Sequence, residues 1–218
     1  MAITGRKPAV YYPLGDNSNP ITLPGYPNNA VGGSVFNFLG TGQVFNLDNE
    51  ISLQDNSSVS FWFKLSTVPT GQFAIPLSAS NNRYYPLFEN FGGNFRFRLQ
   101  GDNGAVITNT SVLIESDVWY YLVITQDGSI PIIYMNGASV SGYSAGDFRT
   151  DVIIGDIGAR PGGSFDLNGE MSNVAIWNGT TLSGAEVTEI YNNGSPLDLT
   201  TFSGTAPTAW YKLDASEI

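Results

Sequence analysis

The 218-residue chain contains no cysteine and no histidine. Without cysteine there is no disulfide framework and no thiolate metal site. Without histidine there is no imidazole base, which removes Ser-His-Asp and Cys-His nucleophile systems and most zinc or iron sites. Charge is scarce as well: Asp, Glu, Lys and Arg make up 13% of the chain, and 9 basic residues against 19 acidic ones leave a formal net charge of -10. The resulting field repels phosphate backbones and anionic headgroups, so neither nucleic acid nor a membrane surface is an expected partner. No apolar run approaches the length of a membrane span, and the opening MAITGRKPAV has no apolar stretch behind Arg6-Lys7 of the kind a signal peptide carries.

What is present suits a large β core. Hydrophobic residues make up 42% and aromatics 13%, and a sandwich of this length folds as a single domain. Residues 1–34 are rich in Pro, Gly and Asn around the short run Ala9-Val10-Tyr11-Tyr12, which reads as one early strand followed by a long loop. Val59, Phe61, Phe63 and Leu65 alternate with Ser60, Trp62, Lys64 and Ser66, the pattern of a half-buried strand. Phe95, Phe97 and Leu99 alternate in the same way up to the turn signal Asp102-Asn103-Gly104. Val118 to Thr125 is apolar on both faces, as a central strand would be, and Ile130 to Met135 runs into Asn136-Gly137, a strong hairpin signal. One segment argues for a helix near 183–191: Ser183-Gly184-Ala185-Glu186 has capping-box spacing, Val187, Ile190 and Tyr191 share a face, and Gly194 stands where a C-cap is expected.

Residues 151–194 carry a strand-ending Gly155, the pair Gly162-Gly163, Phe165, Gly169-Glu170, Trp177 and Leu182-Ser183-x-x-Glu186. In order and spacing this resembles the closing segment of pentraxins and laminin-G-like jelly rolls of the concanavalin A-like type. Ser58 to Phe63 and the stretch from Trp119 to Gly137 are similar, more loosely, to that family's early core strand and its hairpin. The resemblance implies an all-β, two-sheet antiparallel jelly-roll sandwich, over residues 1–205, with one short helix. The aromatic and glycine positions are explained by core packing and turn chemistry, so the motif speaks for fold and leaves function open.

The resemblance also implies where chemistry would lie. Glucanases of this fold carry paired carboxylates in a Glu-x-Asp-x-Glu or Glu-x-Asp-x-x-Glu pattern, because glycosidic cleavage needs two. Neither pattern occurs, Glu170 reads as a strand-opening surface residue, and no catalytic residue is expected. Calcium is the cofactor of many family members, bound by loop carboxylates and carbonyls. At the corresponding positions the chain offers Asp156, with Asn81 and Asn82 where the family has an Asp-Asn pair. Such a set implies at most a weak, millimolar-range calcium site and no required cofactor. Asp48-Asn49-Glu50 reads as an acidic turn exposed to solvent.

Residues 9–18 (AVYYPLGDNS) and 208–216 (TAWYKLDAS) share paired aromatics, a Leu two positions later and then Asp. Two explanations stand: neighbouring terminal strands facing one core, or a tandem repeat whose second copy starts near Ala209. Residues 206–218 are accordingly expected to lead out of the sandwich as an extension. The functional expectation is a non-catalytic display protein on the surface of a virus particle, outside the cell without a signal peptide. Its expected partners are other virion proteins, further copies of itself, or cell-surface glycans. The alternative is a carbohydrate-binding module of a larger bacterial surface or secreted protein.

Overall fold

The computed structural model describes residues 35–67, 73–74, 76–78, 86–91, 94–100, 106–108, 114–128, 131–140, 152–159 and 165–213, with backbone alone at 73–74, 90–91, 94–100 and 106–108. The strands in chain order are β1 (Phe36–Leu39), β2 (Phe45–Ser52), β3 (Asn56–Leu65), β4 (Phe73–Ala74), β5 (Leu77–Ser78), β6 (Leu87–Phe91), β7 (Asn94–Gln100), β8 (Val106–Thr108), β9 (Trp119–Asp127), β10 (Ile132–Met135), β11 (Ala138–Ser139), β12 (Ile153–Ile157), β13 (Asn168–Asn178) and β14 (Ala209–Tyr211). The helix α1 covers Gly184–Tyr191.

Seven strands form one sheet in the order β1-β13-β3-β9-β10-β11, with β14 added to β13, and the rest form a three-stranded sheet, β2-β12-β5, and a four-stranded sheet, β4-β6-β7-β8. All of the pairings are antiparallel. The two smaller sheets make the second layer. Phe45 of β2, Leu77 of β5, Ile154 and Ile157 of β12 and Phe88 of β6 pack into the same core as Phe61, Phe63, Leu122, Ile124, Met171 and Ile176 of the large sheet. The expected sandwich with one short helix is the structure found.

Local chemistry explains the element ends. Ser183 and Glu186 close a reciprocal capping box at the start of α1. The C-cap is Asn192, in the left-handed region at φ 48, and not Gly194, which ends the short 3-10 turn that follows. Asn tolerates that conformation because its short polar side chain can bond locally, so the helix stops earlier than the glycine suggested. Asn136 (φ 52) and Gly137 (φ 80) form the hairpin turn between β10 and β11, with both central residues at positive φ as a type I′ turn requires. β7 and β8 pair as a hairpin around the expected turn, whose own residues 101–105 lie outside those described, as do the expected early strand and loop in residues 1–34.

Two sequence expectations change. β3 is buried on both faces, because α1 and the chain after it cover the outer face of the large sheet. There Trp62, Tyr121, Val123, Ala175 and Trp177 meet Val187, Ile190, Leu199, Phe202 and Trp210. The stretch expected to lead out of the sandwich instead folds onto it: Ala209–Tyr211 pair with Val174–Ile176 of β13, and Trp210 is 4% exposed. The apolar surface that Trp210 and Leu213 remove from water outweighs the cost of ordering so short a segment.

The serines of β3 show how the covered face is satisfied. Ser58 Oγ accepts from the Leu182 N–H at 2.9 Å and donates to the Thr180 carbonyl at 3.1 Å, tying the chain before α1 to the sheet. Ser60 Oγ, one pair along, is buried with no hydrogen-bond partner among the described residues. Ser58→Ala is therefore expected to cost about 1–3 kcal/mol, since it strands a buried N–H. Ser60→Ala should be neutral or stabilising. Urea unfolding of the two variants side by side checks this, and equal losses would show that the serines are interchangeable.

Candidate functional site

With one face of the large sheet sealed by the helix, the opposite layer presents the sheet face free of that cover. On the β2-β12-β5 sheet, Ile157 pairs with Phe45 and with Leu77, and all three point into the core. The next cross-strand row points away from that core, and it consists of Asn46, Asp156 and Ser78, of which Asp156 and Ser78 are nonetheless buried. Asn46 Nδ2 donates to Asp156 Oδ1 at 2.5 Å, and Ser78 Oγ lies 3.4 Å from Asp156 Oδ2 and 2.8 Å from the Ala159 carbonyl.

β2 is irregular here. Ile51 pairs with Ile154 and Asn46 with Asp156, so Leu47, Asp48, Asn49 and Glu50 all stand opposite the single Gly155. This is a β-bulge of the extended kind that re-aims side chains. The Glu50 side chain lies over Gly155, where a Cβ would come within 2.8 Å of Glu50 Oε1. Asp48 and Glu50 are thus exposed residues on a buckled strand, and not an acidic turn as the sequence suggested. The apolar positions Phe45, Leu47 and Ile51 were the signal for a strand, masked by the polar run between them.

Asp156 is 6% exposed. Burial raises its pKa, the hydrogen bonds from Asn46 and Ser78 oppose that rise, and the like charge of Glu50 adds to it. What surrounds Asp156 therefore donates hydrogen bonds to it or repels its charge. Among the described residues no group of three or more acidic side chains is gathered closely enough to hold a metal ion. Asn81 and Asn82, three and four residues beyond Ser78, lie outside the described residues, as does the Gly162-Gly163 loop.

Glu170 is not a surface residue. It lies on the helix side of the large sheet opposite Lys64 of β3, and the two form an ion pair at 2.9 Å with side chains 10% and 15% exposed. Lys64 Nζ in turn sits 5.6 Å from the centre of the Trp119 ring. Gly169 beside it is a close approach, since a Cβ would fall 2.1 Å from the Lys64 carbonyl oxygen.

A family model described as the concanavalin A-like lectin/glucanases superfamily matches residues 39–188. The chain belongs to this superfamily. No curated protein matches it in sequence. Among solved structures it is similar to a native heptameric SAP-like pentraxin from Limulus polyphemus, with TM-score 0.55 and 16% identity over 71% of this chain and 80% of that one. It is similar to a proposed carbohydrate-binding protein from Bacteroides ovatus, with TM-score 0.57 and 16% identity over 84% of this chain and 52% of the other. The receptor-binding domain of botulinum neurotoxin D gives TM-score 0.53 and 20% identity over 73% and 44%. The chain thus spans about half or less of the latter two. At these identities the shared feature is the concanavalin A-like fold, and a superfamily that includes both lectins and glucanases leaves the chemistry to the residues themselves.

The raised pKa of Asp156 has a pH consequence. Between its ordinary value of 3.8 and the higher folded value the folded state binds more protons than the unfolded one. Stability contributed by this group is therefore largest at low pH and falls as pH rises through that window. Asp156→Asn keeps an acceptor for Asn46 and supplies a donor to Ser78 without the charge. It should be at least as stable as the parent at pH 7, with the difference vanishing below pH 3.8. Thermal melts across pH check this, and a large loss at pH 7 would show that the charge is used.

Proposed function

We propose that this domain is a non-catalytic glycan-binding module displayed outside the cell, and that it meets its ligand on the layer opposite the helix. The observation that carries the reading is the asymmetry of the sandwich: one outer face is sealed by apolar packing, while the other carries exposed Asp48, Asn49 and Glu50 and half-buried Asn46 beside buried Asp156 and Ser78. Exposed amide and carboxylate groups along one strand suit the hydroxyls of a sugar, and a sheet presents them with little ordering cost. The superfamily match and the likeness to a proposed carbohydrate binder agree with this.

The same row is the place to test for catalysis, because Asp48 and Glu50 bring two carboxylates to one strand. Both are exposed to solvent, whereas a glycosidase acid is held in a shielded site that raises its pKa. On a printed array of microbial and animal glycans, binding is expected, and Glu50→Ala should weaken it about tenfold or more, the effect of losing one charge-assisted hydrogen bond. Thr188→Ala on the helix should leave it unchanged. Loss with the helix variant alone would overturn the placement. Release of reducing sugar from β-glucan, abolished by Glu50→Gln, would overturn the non-catalytic reading.

For the setting, we place the domain on the surface of a virus particle, a reading supported by the cysteine-free, charge-poor composition together with the adhesin type of fold. Sedimentation of the chain with purified particles tests it. Finding it instead within a longer bacterial surface protein would favour the carbohydrate-binding-module alternative. Calcium should matter little in either setting. Thermal midpoints in EDTA and in millimolar calcium are expected to agree, because the gain from a ligand near its Kd is only RT ln 2. A large calcium-dependent rise, lost in Asp156→Ala, would reverse this.

A further inference from the structure

The part of β2 that carries the exposed polar groups is the part the sheet holds least. β2 is an edge strand, with β12 as its one neighbour among the described residues. Along residues 47–50 that neighbour offers only Gly155, because the register passes directly from the Asn46–Asp156 pair to the Ile51–Ile154 pair. Four residues opposite one cannot all join a ladder, so this segment is short of the backbone bonds that fix a regular strand. Its shape is set by its two ends and by Leu47, which packs against the main core.

The two ends are fastened differently. Beyond Ile51 the ladder runs on through the Ser52–Ile153 pair to the Leu53 N–H, which donates to the Val152 carbonyl at 2.8 Å, and Leu53 is buried in the core. At the other end β2 has two pairs only, Asn46–Asp156 and Phe45–Ile157. A side-chain tie is added there. Asn46 Nδ2 donates to Asp156 Oδ1 at 2.5 Å, and Ser78 Oγ of β5 lies 3.4 Å from Asp156 Oδ2. One carboxylate thus links the edge strand to β5 across β12, and both Asp156 and Ser78 are buried, out of reach of a ligand on the surface.

We propose that Asp156 is a positioning residue of the glycan site: by holding Asn46 it fixes the shape of residues 47–50, and so sets affinity for a ligand that it does not touch. The inference rests on the reading of this face as the glycan site. Asp48, Asn49 and Glu50 are exposed at the middle of the segment. If they had to be ordered when a sugar arrives, the ordering cost would be subtracted from the affinity, whereas a segment fixed beforehand keeps it. A supporting contact of this kind acts through geometry, as the groups behind a binding constellation generally do. Asparagine at 156 keeps an acceptor for Asn46, and alanine does not.

The test compares Asp156→Ala, Asp156→Asn and the exchanged pair Asn46→Asp/Asp156→Asn with the parent chain. Two quantities are read: amide hydrogen exchange at residues 47–50, and apparent affinity on a printed array of microbial and animal glycans. With Asp156→Ala, exchange at 47–50 should quicken while β3 and β13 stay protected, and affinity should fall about tenfold or more. Asp156→Asn and the exchanged pair, each of which retains a side-chain bond between positions 46 and 156, should return both readings to those of the parent. A contribution to stability alone would not confine the faster exchange to 47–50. Parent-like exchange or parent-like affinity in Asp156→Ala would overturn the proposal and leave the glycan reading standing. An array on which the parent binds nothing would sink both. Should Asp156→Ala not fold, Asn46→Ala opens the same bond from the edge strand; faster exchange at 47–50 is expected of it, and parent-like exchange would reject the role.

Discussion

Burial of both faces of the β3–β13 pair is the constraint on which the remainder of the structure depends. The inner faces build the main core through Val59, Phe61, Phe63, Met171 and Ile176. The outer faces carry Trp62, Ala175 and Trp177, which require a cover of their own. That cover is α1 with the chain after it, held by Ser58 to Leu182 and by Trp177 Nε1 to the Thr205 carbonyl at 2.7 Å. Trp62, Tyr121 and Tyr191 lie in near-parallel planes as a three-ring cluster between the sheet and the helix end, with ring centres 4.8 Å (Trp62–Tyr121), 5.8 Å (Trp62–Tyr191) and 6.2 Å (Tyr121–Tyr191) apart. Aromatic pairs of this kind add to the area they bury, so the helix is fixed by the sheet and not by its own propensity, which over so few residues is small.

This cover makes the sandwich two-sided in function as well as in form. A sheet face packed against the helix and the chain after it leaves no surface for a sugar to meet. The opposite layer can keep polar groups in its strands because only its inner row is needed for the core. The alternation of a strand allows Phe45, Leu77 and Ile157 to serve the core while Asn46, Ser78 and Asp156, each next in sequence or adjacent to them, face the other way. The bulge in β2 brings Glu50 over Gly155 and puts a second carboxylate near Asp156.

One edge of β13 accommodates both β1 and β14, so the end of the described chain is tied into the large sheet. A bulge at Asn173 separates the two short strands. Each is therefore held by few backbone bonds, and β14 depends in addition on the burial of Trp210 and Leu213.

Much of this molecule was determined by its sequence alone. The alternation in β3 and β9, the Asn136-Gly137 turn, the Ser183–Glu186 capping box and the closing motif from Gly155 to Glu186 are local patterns. Period-two burial, positive φ and helix capping each depend on neighbours in sequence, so these were legible, and with them the fold. Tertiary structure alone decided the rest. Ser60 looked solvent-facing because nothing in β3 itself says that a helix will cover that face, brought there from a chain segment 124 residues beyond Ser58. Glu170 looked exposed because its partner Lys64 is brought to it only by strand pairing. Asp156 stood out in sequence, but Asn46, Glu50 and Ser78, which define its surroundings, come from strands that meet only when the sheet forms. Local periodicity specifies which residues are buried or turned; which polar residues become neighbours is a long-range outcome of register, and no pattern within one strand encodes it.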